Sequence, residues 1–320
     1  MPVKTKYELK PGPATREAFG KALVELGREN KNSVVCDADL SKSTMTTFFQ
    51  KEFPDRFFSC GIAEAHMVGL AGGLAAAGKI PFAASFSCFV LNKGFEQMRI
   101  ACAYPNMNVK IVGTHSGISI GEDGPSQMSV EDLSLACSLP GFVVIAPADE
   151  VSTKALVRAA AEHYGPVFIR AGRPKVPVIY TEGAKFEIGK SVELVEGTDI
   201  TLIAHGLMVA ECIRAAETLE GEGVSARVID MHTIKPLDRE AIAKAARETR
   251  AIVVAEEHLI DGGLGVRVAQ AVAESEPCVM EFVGLTKYAE SGSPDALLKH
   301  YGLIAPTVVD AARKALSRKR

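Results

Sequence analysis

The sequence predicts an α/β protein of two doubly wound domains with mainly parallel sheets. Short β-branched runs alternate with helical patterns along the whole chain, as parallel strands do when helices cover both faces of their sheet. The 320 residues suffice for two domains of ordinary size. The periodicity breaks at Pro174-Lys175-Val176-Pro177 and again over the polar stretch Thr181 to Gly197, which together look like an exposed connection. The boundary is placed near residue 190, giving units 1–190 and 191–320.

In the first unit the strand candidates are Ser33 to Cys36, Ile80 to Ala84, Val109 to Gly113, Val143 to Ala146 and Val167 to Arg170. Each is a short apolar, β-branched run of the kind a two-sided sheet buries. In the second unit they are Ile200 to Ala204, Ala226 to Asp230, Ile252 to Glu256 and Cys278 to Val283.

A hydrophobic share of 47% and a charged share of 23% describe a folded chain with its own cores. The net charge is −3 with Lys and Arg scattered, so no basic surface invites nucleic acid. The first residues lack the apolar core of a signal peptide and no stretch approaches a membrane span, so a cytoplasmic protein without a membrane partner is expected. The seven Cys include no C-x-x-C pair and lie mostly in apolar runs, which reads as reduced core thiols rather than disulfides or zinc ligands.

Three clusters carry chemistry. Glu64 follows Cys60-Gly61-Ile62-Ala63 and opens a helix otherwise built of small apolar residues, up to Gly78. Such a helix can be packed closely on all sides, and an acid at its first turn then sits near a water-poor contact. Desolvation there favours the protonated form, which suits a group that hands protons to a bound heterocycle. Next, Phe86 and Phe89 lie three apart in Ser85-Phe86-Ser87-Cys88-Phe89 and can offer flat faces to a planar ring. Third, the Gly-rich polar loop Thr114 to Gln127 directly follows a strand, and ligands of parallel sheets sit at the carboxyl ends of strands. In the second unit, Glu256-Glu257-His258 and Asp261-Gly262-Gly263-Leu264-Gly265 form a strand, a turn and a helix start that could bind an anion or serve as a structural joint.

Together these clusters resemble the transketolases. Gly61-Ile-Ala-Glu64, the Phe86/Phe89 segment, Gly121-Glu-Asp-Gly-Pro-Ser-Gln127, Phe168-Ile-Arg-Ala-Gly-Arg173-Pro174 and Ile234-Lys-Pro-Leu-Asp238 stand in the family's order and spacing. The resemblance covers the thiamine diphosphate-binding (pyrimidine) fold and the transketolase C-terminal domain. It implies a thiamine diphosphate-dependent transferase that moves a two-carbon ketol unit from a ketose phosphate to an aldose. The family's Gly-Asp-Gly motif and following Asn, which hold the coenzyme's diphosphate and Mg²⁺, have no counterpart here. Asp123-Gly124 and Asp261-Gly262-Gly263 are the nearest strings, so no metal ligand is expected in this chain.

The resemblance therefore implies the smaller, C-terminal subunit of a split transketolase, partnered by an N-terminal, diphosphate-binding subunit in an α2β2 assembly with a homodimeric core. By the same resemblance, Glu64 is the catalytic acid on the coenzyme's pyrimidine, Phe89 stacks on that ring with Phe86 beside it, and Asp39 lies near the coenzyme. Arg16, Ser43 and Arg173 bind the phosphate of a sugar phosphate. His115, a second catalytic candidate, and Asp123 face the hydroxyls near the reacting carbon. Gln127 replaces a His of some members and serves as a hydrogen-bonding group. Arg170 and Arg173 read together as a pair of sugar-phosphate arginines. That pair and the 121–127 loop favour transketolase over the alternatives, the β chain of a 2-oxo acid dehydrogenase or a deoxyxylulose phosphate synthase-like enzyme. A non-catalytic structural subunit is the alternative of another class.

Overall fold

The computed structural model describes residues 9–319. Its strands, in chain order, are β1 (Lys10–Ala14), β2 (Ser33–Asp37), β3 (Phe57–Ser59), β4 (Ile80–Phe86), β5 (Lys110–Thr114), β6 (Val143–Ile145) and β7 (Val167–Arg170), then β8 (Lys175–Val178), β9 (Val192–Val195), β10 (Ile200–Ala204), β11 (Ala226–Asp230), β12 (Thr233–Lys235), β13 (Ala251–Leu259) and β14 (Val279–Leu285). One sheet has seven strands in the order β12-β6-β7-β5-β4-β2-β3 and another has five in the order β14-β13-β10-β11-β9. Pairing is parallel throughout both except at two edges, where β12 meets β6 and β9 meets β11 antiparallel. The predicted class, α/β with mainly parallel sheets, is what the chain adopts.

All nine expected strands form. The runs are apolar on both faces because helices cover both faces, and every residue of β2, β5, β7, β10 and β11 is buried. Lys110 is one of several charged exceptions in these strands, with Asp37, Arg170, Arg227 and Asp230. Its fully buried ammonium donates to Asn108 Oδ1 and to the carbonyls of His163 and Gly165, each at 2.7 Å, and burial pulls its pKa down to about 7.

The supposed exposed connection is more ordered than its sequence suggests. Lys175–Val178 is β8, which pairs antiparallel with β1 despite two prolines, and Val192–Val195 is edge strand β9. Between them, Asp149 Oδ2 accepts from the backbone N–H groups of Ile179 and Tyr180 at 2.8 and 2.9 Å. The same carboxylate caps the Glu150–Glu162 helix in a capping box with Ser152.

The two halves share their packing. β12, from beyond residue 190, closes one edge of the first sheet, and Phe168, Ile203, Ile229 and Ile252 belong to one continuous apolar cluster. All seven cysteines are free thiols, three of them only half-buried. No helix among the described residues is long and apolar enough to cross a membrane. Phe168, fully buried at the centre of β7, tests the shared core. Phe168→Ala is expected to cost about 3–5 kcal/mol, read as a lowered denaturant midpoint of the whole chain.

Candidate functional site

Five neighbouring strands, β7, β5, β4, β2 and β3, run parallel and therefore end on the same edge of the sheet. Register fixes what gathers there. Phe86 pairs with Thr114 and Gly113 with Arg170, so Phe86, His115 and Arg173 leave from adjacent strand ends. Asp39 leaves from the end of β2, and Glu64 begins the Glu64–Ala76 helix after β3. Arg16 arrives from another direction. β1 is pinned to β8, and Thr15 Oγ1 accepts from Gly172 N–H at 2.7 Å, which sets the start of the Thr15–Glu29 helix beside Arg173.

Glu64 is 3% exposed in the first turn of its helix, where the N-terminal dipole favours a carboxylate. Lys93, from the Ser87–Gln97 helix, places its ammonium 3.6 Å from the Glu64 carboxylate and 4.4 Å from the centroid of the Phe89 ring. Lys93 thus touches two of the expected coenzyme residues, and the sequence offered no signal for it. Phe86 and Phe89 stack at 5.6 Å and 14°, and Phe86 stacks in turn on His115 at 3.9 Å. The Glu64–Ala76 helix is not packed on all sides, as its small residues suggested. Met67, Val68, Ala71 and Gly72 are buried, whereas His66 is exposed and Gly69 and Gly73 face open space.

Asp39 is exposed at φ 63°. It is held there by Asp37, whose buried carboxylate accepts from Leu40 N–H at 2.7 Å and from the Thr44 and Thr46 hydroxyls at 2.7 and 2.9 Å. Burial nevertheless raises the Asp37 pKa above the usual carboxylate range. The turn that Asp37 organises also offers the Ser43 carbonyl to Arg16 Nη1 at 2.7 Å; Ser43 thus contributes its backbone.

His115 is almost wholly buried, in the left-handed region at φ 57°. Its Nδ1 lies 2.9 Å from Thr114 Oγ1 and its Nε2 lies 3.0 Å from Arg16 Nη1. A guanidinium can only donate, so Nε2 accepts and the ring is neutral. Burial, then Arg16 and Arg173, push its pKa down to about 3. Arg173 donates to the Ile120 carbonyl and sits 3.5 Å from Glu122 and 3.8 Å from Asp123. Gln127 is half-buried and accepts from the Ser126 hydroxyl.

One expectation is corrected and one open alternative is decided. Arg170 is not a second sugar-phosphate arginine. It is 6% exposed, its Nε donates to Asp132 at 2.8 Å, and its Nη2 donates to the Glu257 carbonyl at 2.9 Å. Its Nε and Nη2 donors are thus spent inside the protein, and the side chain is held away from the exposed edge where Arg173 stands. Nor can the Asp261–Gly265 turn seat an external anion, because an internal one fills it. Glu256 accepts from Leu264 N–H at 2.7 Å and Gly265 N–H at 2.8 Å, and a Cβ on Gly263 would stand 1.9 Å from that carboxylate. The structural reading of this segment is the one the geometry supports.

No local pattern announces the contact between the halves. Glu257 reaches from β13 into the 114–127 loop and accepts from Ser119 N–H at 2.7 Å. Burial raises the Glu257 pKa to about 6, with Arg170 working against the rise. The His115 geometry yields a test. The unfolded chain binds a proton at this ring below its ordinary pKa of 6.5 and the folded chain only near 3, so its contribution to stability is present above 6.5 and lost as pH falls from there. The ring resonances of His115 are expected to stay those of neutral imidazole from pH 5 to 8 in an NMR titration, where an ordinary imidazole would titrate near 6.5.

Comparisons with known proteins agree with this geometry. Residues 11–178 match the family model for the transketolase pyrimidine binding domain, and residues 189–308 match that for the transketolase C-terminal domain. The chain is 45% identical over 315 residues to the "Putative transketolase C-terminal section" of Methanocaldococcus jannaschii, covering 93% of this chain and 96% of that one. It is 37% identical to human transketolase over 99% of its own length but spans only 51% of the human protein. Among solved structures it superposes on a split gene transketolase described as an inactive beta4 tetramer, with TM-score 0.91, 49% identity, and coverage of 97% of this chain and 100% of that one. The chain belongs to the transketolase family, of which it carries the pyrimidine-binding and C-terminal domains.

Proposed function

We propose that this chain is the C-terminal subunit of a split transketolase, active only with an N-terminal subunit that supplies the diphosphate-binding half. The observation that carries this reading is the buried Glu64 carboxylate at the same sheet edge as the stacked Phe86 and Phe89 rings. A carboxyl group and flat apolar faces fit the aminopyrimidine end of thiamine diphosphate. They do not fit its charged end. Among the described residues no group of three His, Cys, Asp or Glu could hold a metal ion, so the proposal assigns Mg²⁺ and the diphosphate to the partner.

When bound, thiamine diphosphate supplies the carbon nucleophile and the electron sink for ketol transfer. This chain's residues orient and exchange protons around it. Glu64 hydrogen-bonds a ring nitrogen, Phe89 stacks on the ring, and Phe86 and Asp39 complete that wall. Arg16 and Arg173 meet the sugar's phosphate, where planar guanidinium donors match phosphate oxygens. Asp123 and Gln127 serve as hydrogen-bonding groups toward substrate hydroxyls, and the neutral His115 joins them when a hydroxyl takes the place of Arg16 at its Nε2. The depressed pKa of His115 argues against a role as a charged acid. The Ser43 carbonyl holds Arg16 in place.

The partner requirement draws support from surface chemistry. Ile62, Ile100 and Tyr104 are 78%, 51% and 88% exposed on the segments beside the open face of the Glu64–Ala76 helix. Apolar side chains so bare favour burial against other chains, in keeping with an α2β2 assembly around a homodimeric core. The relative of known structure is named inactive as a tetramer of its own subunit, which fits a half-enzyme.

Assays of the reconstituted complex test the reading. Glu64→Gln should leave the fold intact and lower kcat at least a hundredfold; near wild-type turnover would remove Glu64 from its role. Arg173→Ala should raise KM for phosphorylated sugars about tenfold or more while sparing unphosphorylated ones, and an equal effect on both would take it out of the phosphate site. The chain alone, given thiamine diphosphate and Mg²⁺, should show no ketol transfer above background.

A further inference from the structure

The second domain contributes none of the groups assigned to coenzyme or sugar above, yet one of its carboxylates is embedded in the loop that carries His115, Asp123 and Gln127. Glu257 Oε1 accepts the Ser119 N–H at 2.7 Å across 138 residues of sequence. Around this bond the loop leaves no slack. Gly117, at φ 78°, lies so close that a Cβ would stand 2.1 Å from the Glu257 carboxyl carbon, and a carboxylate this buried cannot swing aside. Gly117 N–H bonds the Ser129 carbonyl at 2.7 Å and closes the base of the loop, while Leu259 N–H bonds the Val130 carbonyl at 2.8 Å. Arg170 donates to both the Glu257 and the Ser129 carbonyls, at 2.9 and 3.4 Å, and so joins the loop's base to β13.

We propose that Glu257 is a positioning residue, through which the C-terminal domain sets the shape of the substrate loop. Its placement relative to substrate rests on the function proposed above, while its effect on the loop does not. Ser119 stands midway between His115 and Asp123, so the Glu257 bond fixes the loop between the two side chains that face the sugar. The role requires an acceptor atom at this spot and not a charge. A carboxamide can fill it and an apolar side chain of similar length cannot.

The test compares Glu257→Met, which keeps the volume and removes the acceptor, with Glu257→Gln, which keeps the acceptor. Amide hydrogen exchange of the full chain is the first readout. Glu257→Met should speed exchange at residues 117–121 about tenfold or more while 200–204 in β10 stays at the wild-type rate, and Glu257→Gln should remain within about twofold of wild type. In the reconstituted complex, Glu257→Met should lower kcat/KM for a ketose phosphate about tenfold or more without changing affinity for the N-terminal subunit, with Glu257→Gln restoring it. Unchanged loop exchange in Glu257→Met, equal damage by Gln and Met, or a matching rise in β10 would each overturn the proposal. Should the methionine variant not fold, Glu257→Ala replaces it on the same criteria. If the wild-type complex turns over no ketose phosphate, the proposed function falls, and the exchange readout still decides whether Glu257 shapes the loop.

Discussion

The arrangement depends on one buried guanidinium. Arg170 ends β7, and two separate parts of the chain converge on it: the 129–132 segment, through the Asp132 ion pair at 2.8 Å and the Ser129 carbonyl, and β13, through the Glu257 carbonyl. Burying a charge costs several kcal/mol unless every donor finds a partner, and removing one member of such a pair typically costs about 3–5 kcal/mol. An apolar substitute could match the stability. It could not fix where β13 and the 114–130 segment meet. Asp132 is the keystone's counterpart: it holds Arg170 and also takes the Ser87 hydroxyl at 2.9 Å, at the start of the helix that carries Phe89 and Lys93. Positions of the aromatic pair, the His115 loop and the second domain are thereby set by one connected group of polar contacts.

What the sequence made legible follows from the range of the interactions. The nine apolar strands have a local signature, since two covered faces demand continuous apolar residues. The remaining strands do not. β3 and β12 have only three residues each, β9 is an alternating edge, and β1 and β8 carry prolines whose missing N–H groups are tolerable only in a peripheral pair. At the site, Glu64 was visible as an acid opening a helix of small residues, Phe86 and Phe89 as an aromatic pair three apart, and His115 from its Gly-rich loop, whereas Arg173 came from the family resemblance alone. Lys93 was hidden, since a lysine one helical turn past a phenylalanine is ordinary on any helix. Arg170 misled because it stands three residues from Arg173, and the sheet register that turns one inward and leaves the other partly exposed is not written in that spacing.

The Asp261–Gly265 turn shows how the same physics serves a different end. A glycine-bounded helix N-terminus presents free N–H groups and attracts a negative charge. Here the preceding strand supplies the charge itself, from Glu256, eight residues upstream of Leu264. That carboxylate is flanked by His205 at 3.8 Å and by His258 at 4.0 Å, and His258 lies 3.8 Å from Asp132. The helix start thus feeds into the polar group around Arg170. Of the glycines that suggested a ligand site, Gly263 is needed because the carboxylate leaves no room for a Cβ, while Gly262 is crowded by Ser134.

Electrostatics also divides the labour among the site residues. Burial above all, with the two positive charges that Arg16 and Arg173 bring to the edge adding to it, keeps the His115 imidazole from gaining a proton at neutral pH. Glu122 and Asp123 stand within 4 Å of Arg173 on an exposed part of the loop, balancing one guanidinium while no substrate is present. An incoming phosphate would take over that balance, and the freed Asp123 would be available to a hydroxyl. Under the proposed function, proton exchange at the coenzyme would then fall to Glu64, the buried acid beside the stacked rings, while the cationic edge would bind the sugar's anionic end. The loop's ability to serve both ends depends on its backbone staying where Ser119 is held, and that hold comes from the other domain.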